Sequence, residues 1–326
     1  MARNTNINEI LFTVKCNPVF LENIKHPIPG YKAITGEVIK NFYRVFSIVS
    51  DNYLLITNQE ALDMGKEIHA KLFPEAKSES FEVFNVIAPQ TYSFCQIDII
   101  DKNYSKNIGG KELYVPFVRI QNSYNRSRKL KFDLGFCRKL CNNGVIFEQE
   151  IISININHTK QSVKELDLSK IDVSMFKYYI EDFTRKTQLA AQIKLPRRYF
   201  LPLSAKILNR RFNLKDKNEK RRNQTVHKLL EFIYFINEYT DKYVKDPDLG
   251  ETAYTLFNVV TDYASNFNKL QASMINGLQT NCGAWLNMIV NKSSQSDFSW
   301  DKEIKDFEYL QNTALTNNNN LFAQLS

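Results

Sequence analysis

The residues in this sequence that most clearly predict a binding function are cations concentrated in one segment. Between Lys194 and Arg222, eleven lysines and arginines accompany only two acidic residues, Asp216 and Glu219. The chain has a formal net charge of +8, so this part, called the basic segment below, supplies the whole excess. Closely spaced cations neutralise nucleic-acid phosphates and release their counterions. The arginines expected to bind nucleic acid here are Arg197, Arg198, Arg210, Arg211, Arg221 and Arg222.

A second group of cations lies earlier in the chain, and aromatic residues are interleaved with both groups. Proteins that bind single strands combine a cationic track for the backbone with aromatic platforms for the bases. A solvated charged face above a core of aromatic side chains is the alternative, and the sequence leaves both open. The second group of expected nucleic-acid-binding residues is Arg119, Arg126, Arg128, Lys131 and Arg138, and the interleaved aromatic residues are Tyr124, Phe132, Tyr199, Phe200 and Phe212.

Short polar side chains accompany the second group. Asn122 and Ser123 follow Arg119 closely, and Asn143 precedes a glycine. We expect these four residues to form one polar cluster at the turn end of a sheet. Asn and Ser side chains commonly satisfy backbone groups in turns, so a structural role competes with a functional one.

The sequence shows little that predicts catalysis. It contains no G-x-x-x-x-G-K-S/T, G-x-G-x-x-G, H-E-x-x-H or G-x-S-x-G pattern. The pair Asp98 and Asp101 lacks a third ligand for a divalent cation, and Cys137 and Cys141 lack the further cysteines or histidines of a zinc site. We therefore predict no catalytic residue, no metal site and no cofactor, and favour a non-enzymatic protein without excluding an enzyme with an unrecognised site.

The composition is that of an ordinary globular protein. Of 326 residues, 43% are hydrophobic and 24% are charged, which excludes a wholly disordered chain. No apolar run approaches the ~18 residues of a membrane span, and the start of the chain lacks a signal-peptide core. Five scattered cysteines fit reduced thiols. We expect a cytoplasmic protein in a bacterial host cell, with no membrane partner.

The hydrophobic period changes along the chain, which predicts an α+β fold. Residues 1–158 read as a β-rich domain with one inserted helix, which begins at Thr57 or Asn58. An antiparallel meander is expected at 114–157, with a turn at Asn143-Gly144 that leads into one long strand over 145–156. Residues 159–326 read as a mainly helical domain that contains the basic segment, 194–222. Its predicted helices are 169–195, 226–244, 251–290 with a break at Gly277 or Gly283, and 300–315.

Two stretches carry a family resemblance. Arg119, Asn122 and Ser123, followed by Arg138, Cys141, Asn143 and Gly144, match an "R-x-x-N-S" turn and an "R-x-x-C-x-N-G" segment. With a later helix at 252–264, this pattern resembles the phage- and plasmid-associated domain of unknown function 932 over about residues 40 to 290. The chain has Tyr124-Asn125-Arg126 where that family usually has His-Asp-Gly. The resemblance implies residence on mobile elements and no settled biochemical activity.

Two functional hypotheses of different classes follow. The first is a phage or plasmid accessory protein that binds nucleic acid, DNA or RNA and preferably single strands, through its basic surface. The alternative is an inhibitor that binds a protein of a host defence complex. The expected partners are accordingly nucleic acid, a host or element-encoded protein, or a further copy of the chain.

Overall fold

The computed structural model describes most of the chain, in ten stretches. They are residues 3–74, 80–101, 106–108, 112–138, 143–146, 153–159, 173–246, 249–267, 270 and 272–311. Within them, strands dominate before residue 157 and helices after residue 172. The fold class is therefore α+β, as the change of hydrophobic period predicts.

The strands form two antiparallel sheets. The larger has eight strands, in the order β1-β5-β6-β8-β9-β10, with β7 added to β8 and β11 added to β9; the smaller has the order β2-β3-β4. The strands are β1 Arg3–Asn4, β2 Val14–Pro18, β3 Tyr31–Ile39, β4 Phe42–Ser50, β5 Phe81–Ala88, β6 Phe94–Asp101, β7 Lys106–Ile108, β8 Glu112–Ser123, β9 Leu130–Arg138, β10 Asn143–Ile146 and β11 Ser153–Ile156.

The helices follow mainly in the second half. Short 3₁₀ turns at Arg197–Tyr199 and Lys305–Leu310 adjoin two of them. The helices are α1 Ile7–Ile10, α2 Asn58–Leu72, α3 Val173–Gln192, α4 Phe200–Ile207, α5 Glu219–Val244, α6 Ala253–Asn266, α7 Ala272–Lys292 and α8 Trp300–Ile304.

Helix α2 is the inserted helix of the β-rich half, and its start is fixed by a capping box. The Thr57 hydroxyl accepts from the Glu60 backbone N–H, while the Glu60 carboxylate accepts from the Thr57 backbone N–H. Both bonds satisfy N–H groups that the first turn of a helix leaves without partners. The predicted start at Thr57 or Asn58 is confirmed.

The large sheet is covered on both faces. Ile97, Ile99 and Ile120 are buried on the face that packs against α2. The alternate residues of the same strands, including Asp98 and Arg119, are buried on the face towards the helical half. One continuous cluster of buried apolar residues contains members from both halves of the chain. The division into domains at residues 158 and 159 stays a prediction.

The meander at 114–157 is antiparallel, as predicted, but two details differ. Asn143 and Gly144 begin β10 and pair with Arg138 and Cys137, so they are strand residues rather than the turn itself. The long strand predicted over 145–156 is not continuous. Ile146 pairs with Gly135 and Ser153 with Asp133, so the chain advances seven positions while β9 advances two.

The predicted helix at 251–290 consists of two helices, and the break is not at a glycine. Helix α6 ends at Asn266, and Gly277 and Gly283 lie inside α7. Residues in α6 are buried along nearly its whole circumference. Because tertiary packing surrounds this helix, its end does not follow from local glycine content.

Gly65 permits the close approach of α2 to the sheet. A Cβ atom added to Gly65 would lie 2.3 Å from Cδ1 and 2.7 Å from Cγ1 of Ile120. We expect Gly65→Ala to lower the free energy of unfolding by ~1–3 kcal/mol through overpacking, measured by urea denaturation. Ile120→Val should recover part of this loss in the double variant. Gly277→Ala is the matched control, since nothing lies within 4 Å of its added Cβ; an equal loss there would contradict the packing argument.

His69 gives the stability a defined pH dependence. It is buried against Phe73 and Phe81, with ring centroids 4.6 and 4.7 Å away. Burial lowers the pKa of His69 from 6.5 to about 4, and nearby Asp101 opposes this only in part. The unfolded chain therefore binds the proton first. Stability should be full above pH 6.5 and fall by ~3 kcal/mol as the pH drops towards 4.

Chemical denaturation at a series of pH values measures this slope. His69→Phe should flatten it, whereas His227→Gln should not, because His227 is exposed. An unchanged slope in His69→Phe would assign the pH dependence to other groups.

Candidate functional site

Arg119, one of the cations expected to bind nucleic acid, is fully buried, with 0% of its surface exposed. Its guanidinium donates two bonds to Asp98 on the neighbouring strand, Nε to Oδ1 at 2.6 Å and Nη2 to Oδ2 at 2.7 Å. The strand register places the two residues directly opposite each other. Such a two-pronged pair combines charge with fixed geometry.

The remaining donors of Arg119 connect the sheet to helix α7. Its Nη1 donates to the side-chain oxygens of Gln279 and Asn276. Asp98 also accepts from Asn85 Nδ2 at 3.3 Å. Since its partners are all protein groups in the interior, Arg119 cannot reach a phosphate, and its assignment as a nucleic-acid-binding residue is wrong.

Asn122 and Ser123 have structural roles on separate faces. Asn122 Nδ2 donates to the Ile56 carbonyl at 2.9 Å and to Asn58 Oδ1 at 3.0 Å, which holds the start of α2 against the sheet. The Ser123 hydroxyl donates to the Arg128 carbonyl and accepts from the Arg128 N–H, which closes the β8–β9 turn.

Asn143 does not join these residues. Its backbone pairs with Arg138, which itself lies opposite Tyr114, eight residues before Asn122 on β8. At ~3.3 Å per residue this separation is roughly 25 Å along the strand. The four-residue polar cluster predicted from the sequence is therefore wrong as a single site.

The other cations of the second group differ in exposure. Arg126 is exposed in the β8–β9 turn. Arg128 is half-buried over the ring of Phe94, 4.5 Å from its centroid, and burial lowers its pKa. Lys131 pairs with Asp133 at 2.8 Å. The side chain of Arg138 lies outside the described residues. This group therefore offers few unpaired charges.

The interleaved aromatic residues are mostly core residues. Tyr124, Phe132, Tyr199 and Phe200 are buried, and Phe212 is half-buried against Phe232. The four buried rings cannot serve as stacking platforms for bases. Of the two alternatives that the sequence leaves open, a core of aromatic side chains agrees with the structure for these four residues.

Part of the basic segment holds the fold together. Arg197 pairs with Asp241, and Lys206 pairs with Glu303 at 2.7 Å. The Arg210 guanidinium lies over Tyr263, 5.5 Å from the ring centroid. Arg198 donates to the Tyr199 hydroxyl. Between these cations helix α4 is almost wholly buried, so only the end of the segment is an exposed loop.

Six cations that follow Arg210, the last of them just past the end of the basic segment, are exposed and make no side-chain hydrogen bond or ion pair within the described stretches. They are held by the loop before α5 and by the first turns of that helix, where Arg222 is half-buried. We call the exposed set the free basic surface: Arg211, Lys215, Lys217, Lys220, Arg221 and Lys228.

The first turn of α5 places cations of this surface at the positive end of the helix dipole. Asn218 caps the helix by accepting from the Arg221 backbone N–H at 3.1 Å. Lys220, Arg221 and Arg222 then occupy the first turn, alongside Glu219. Because the N-terminal end of a helix carries partial positive charge, cations there are unfavourable and a bound anion is stabilised.

Two exposed tyrosines flank the free basic surface, and the sequence analysis missed both. Tyr234 is 65% exposed on α5, on the helical face that also carries Lys220 and His227. Tyr309 is 44% exposed. Burial raises the pKa of Tyr309, while the Phe212 backbone and Arg211 lower it, which places this ring beside the free basic surface.

No group of three or more residues suited to hold a metal ion occurs in the part of the chain that the structure describes. Among those same residues, no helix is long and apolar enough to cross a membrane. A family model described as a domain of unknown function (DUF932) matches residues 45–297. No curated protein and no solved structure matches the chain.

The Arg119–Asp98 pair should be essential for stability rather than for binding. Removing one partner leaves a buried charge uncompensated, so Arg119→Met and Asp98→Asn should each lower the free energy of unfolding by ~3–5 kcal/mol. Guanidinium denaturation measures this loss. The double variant Arg119→Met/Asp98→Leu should lose less than the sum of its single changes, because no lone charge remains.

Lys129→Met is the matched control, since Lys129 is exposed in the β8–β9 turn. A stable Arg119→Met variant that loses affinity for nucleic acid would contradict the structural role.

Proposed function

The chain belongs to the DUF932 family of domains of unknown function, and we propose that it is a non-enzymatic accessory protein of a phage or plasmid that binds nucleic acid in the bacterial cytoplasm. The contact is assigned to the free basic surface. DNA and RNA share the phosphate backbone that this surface would bind.

The observation that carries the proposal is the division of the basic segment. Its structural cations have carboxylate, hydroxyl or ring partners, whereas the free basic surface has none in the described residues. Cations at the positive end of a helix dipole are repelled by it, and without an ion pair nothing offsets this repulsion. A polyanion supplies the missing counter-charge.

Tyr234 and Tyr309 favour single strands over duplexes. Tyr309 lies beside Arg211, and Tyr234 is exposed further along the helical face of α5 that carries Lys220, so a bound single strand could stack its bases on these rings. A duplex keeps its bases paired and stacked and offers only its phosphates to these cations.

Neutralising the free basic surface should weaken binding and reduce its dependence on salt. We expect the triple variant Arg211→Gln/Lys220→Gln/Arg221→Gln to bind unrelated single-stranded sequences more weakly and alike. The slope of log affinity against log salt should flatten by up to ~2, since each phosphate contact on a single strand contributes about 0.7. Fluorescence anisotropy with oligonucleotides over a salt series measures both quantities. Arg210 is left unchanged because it packs on Tyr263.

The matched control removes equal charge elsewhere, through Lys25→Gln in the loop between β2 and β3, Lys66→Gln on α2 and Lys302→Gln on α8. This control variant should leave the salt slope unchanged if the contact is local.

A second experiment tests base stacking. Tyr234→Ala should weaken binding to single strands by ~1–3 kcal/mol and leave binding to duplexes unchanged. Tyr178→Ala, at a tyrosine that is 59% exposed on α3, is the control and should change neither.

A wild-type protein that binds no oligonucleotide at low salt would contradict the proposal. The hypothesis of a protein that binds a host defence complex would then replace it. Co-purification from a plasmid-bearing or infected host, with and without nuclease, distinguishes the two, because only a protein partner survives nuclease treatment.

A further inference from the structure

The exposed ring of Tyr234 lies between two carboxylates on the surface of α5. Glu231 precedes Tyr234 by three residues and Glu238 follows it by four, so both are its neighbours on the helix. The last cation of the free basic surface, Lys228, comes six residues before Tyr234 and points about 120° away around the helix axis. The ring is therefore bordered by acidic side chains, although the start of the same helix is basic.

The two carboxylates differ in their partners. Glu231 is half-buried, and its Oε1 lies 3.3 Å from Nε2 of His227. Glu238 is exposed and makes no hydrogen bond or ion pair within the described stretches. The next cation along the helix, Lys242, lies over two tyrosine rings, 5.2 and 5.3 Å from their centroids. The carboxylate of Glu238 is thus free to accept a hydrogen bond from a ligand.

Helix geometry directs Glu238 towards the turn that carries Tyr234. Side chains of an α-helix lean towards its N-terminus, so each residue covers the surface over the preceding turn. Residues four apart have their Cβ atoms ~5–6 Å from each other. The carboxylate of Glu238 therefore lies beside Tyr234, within reach of the edge of a base that stacks on the ring.

The same carboxylates determine which part of a nucleotide approaches the ring. A phosphate placed beside Glu231 and Glu238 would meet like charge, which lowers affinity. The cations at the start of α5 and in the loop before it hold the phosphates instead, and at Tyr234 the strand presents its base. A base stacked on an aromatic ring turns its hydrogen-bonding edge to the side chains around that ring.

We propose that Glu238 makes this position of the site select a base that carries an exocyclic amino group. Cytosine N4, adenine N6 and guanine N2 are donors, and a carboxylate accepts from such groups. Thymine and uracil have a carbonyl oxygen where cytosine has its amino group, and a carboxylate repels that oxygen. The inference rests on the proposed function and adds a base preference to it.

Two pyrimidine homopolymers test this preference. Oligo(dC) and oligo(dU) of equal length have the same backbone and differ at the ring position that carries the amino group or the carbonyl oxygen. We expect the wild type to bind oligo(dC) ~2–10-fold more tightly, which corresponds to one net hydrogen bond. Fluorescence anisotropy at a fixed salt concentration and at pH 8, where cytosine is unprotonated, measures both affinities.

Two variants assign the preference to this position. Glu238→Gln should abolish it, because an amide donates as well as accepts, and should raise affinity for oligo(dU) by removing a negative charge. Tyr234→Ala should also abolish it, because the base is no longer held beside Glu238. Glu181→Gln is the matched control, since Glu181 is exposed and follows the exposed Tyr178 by three residues on α3. This control should leave both affinities unchanged, and all three variants should keep the circular dichroism spectrum of the wild type.

The outcomes separate this inference from the proposed function. Equal affinity of the wild type for the two homopolymers overturns the inference and leaves the proposed function in place. A preference that Glu238→Gln retains also overturns it, because another group must then recognise the base. A wild type that binds neither homopolymer at low salt overturns the proposed function, and this inference with it.

Discussion

The burial of one arginine constrains the centre of this fold. A guanidinium without solvent must have its charge and its donors satisfied by protein groups, or the folded state loses several kcal/mol. Asp98 supplies the charge from β6, and Gln279 and Asn276 supply acceptors from α7. The register of β6 on β8 and the position of α7 on the sheet are thereby coupled. The face of the large sheet that packs against the helical half is consequently polar at its middle, where Gln96 and Gln121 are buried beside the Arg119–Asp98 pair.

Contacts with other elements divide the charge excess of the chain. Arg210 is half-buried and lies over the ring of Tyr263, whereas Arg197 and Lys206 are exposed and pair with carboxylates at the surface. Helix α4, which these residues surround, is buried because its own side chains are nearly all apolar. The cations after Arg210 have no such partner and, apart from the half-buried Arg222, are exposed. The fold therefore concentrates the unpaired charge on the loop before α5 and on its first turns.

The sequence predicts local structure better than it predicts the site. The capping box at Thr57 and Glu60 and the alternation in β8 and β9 are local signals, and the structure agrees with both. Arg119 is predicted at the surface but is buried, since alternation shows that residues share a face but not that a helix covers it. Tyr124, just after β8, is covered by the small sheet. Asp98 stands opposite Arg119 only through strand register, which no short window contains. The exposure of Tyr234 could not be predicted from the sequence either, because the packing of α5 against α4 and α6 decides which side of this helix faces solvent.

The free basic surface and the contacts that hold the fold together use different side chains. The free basic surface belongs to the loop before α5 and to α5, which packs on α4 and α6. The ion pairs of Arg197 and Lys206 and the buried pair of Arg119 with Asp98 lie on other elements or on other residues of the basic segment. A polyanion bound to α5 would therefore reduce the repulsion among like charges on the free basic surface and leave the ion pairs of the fold intact.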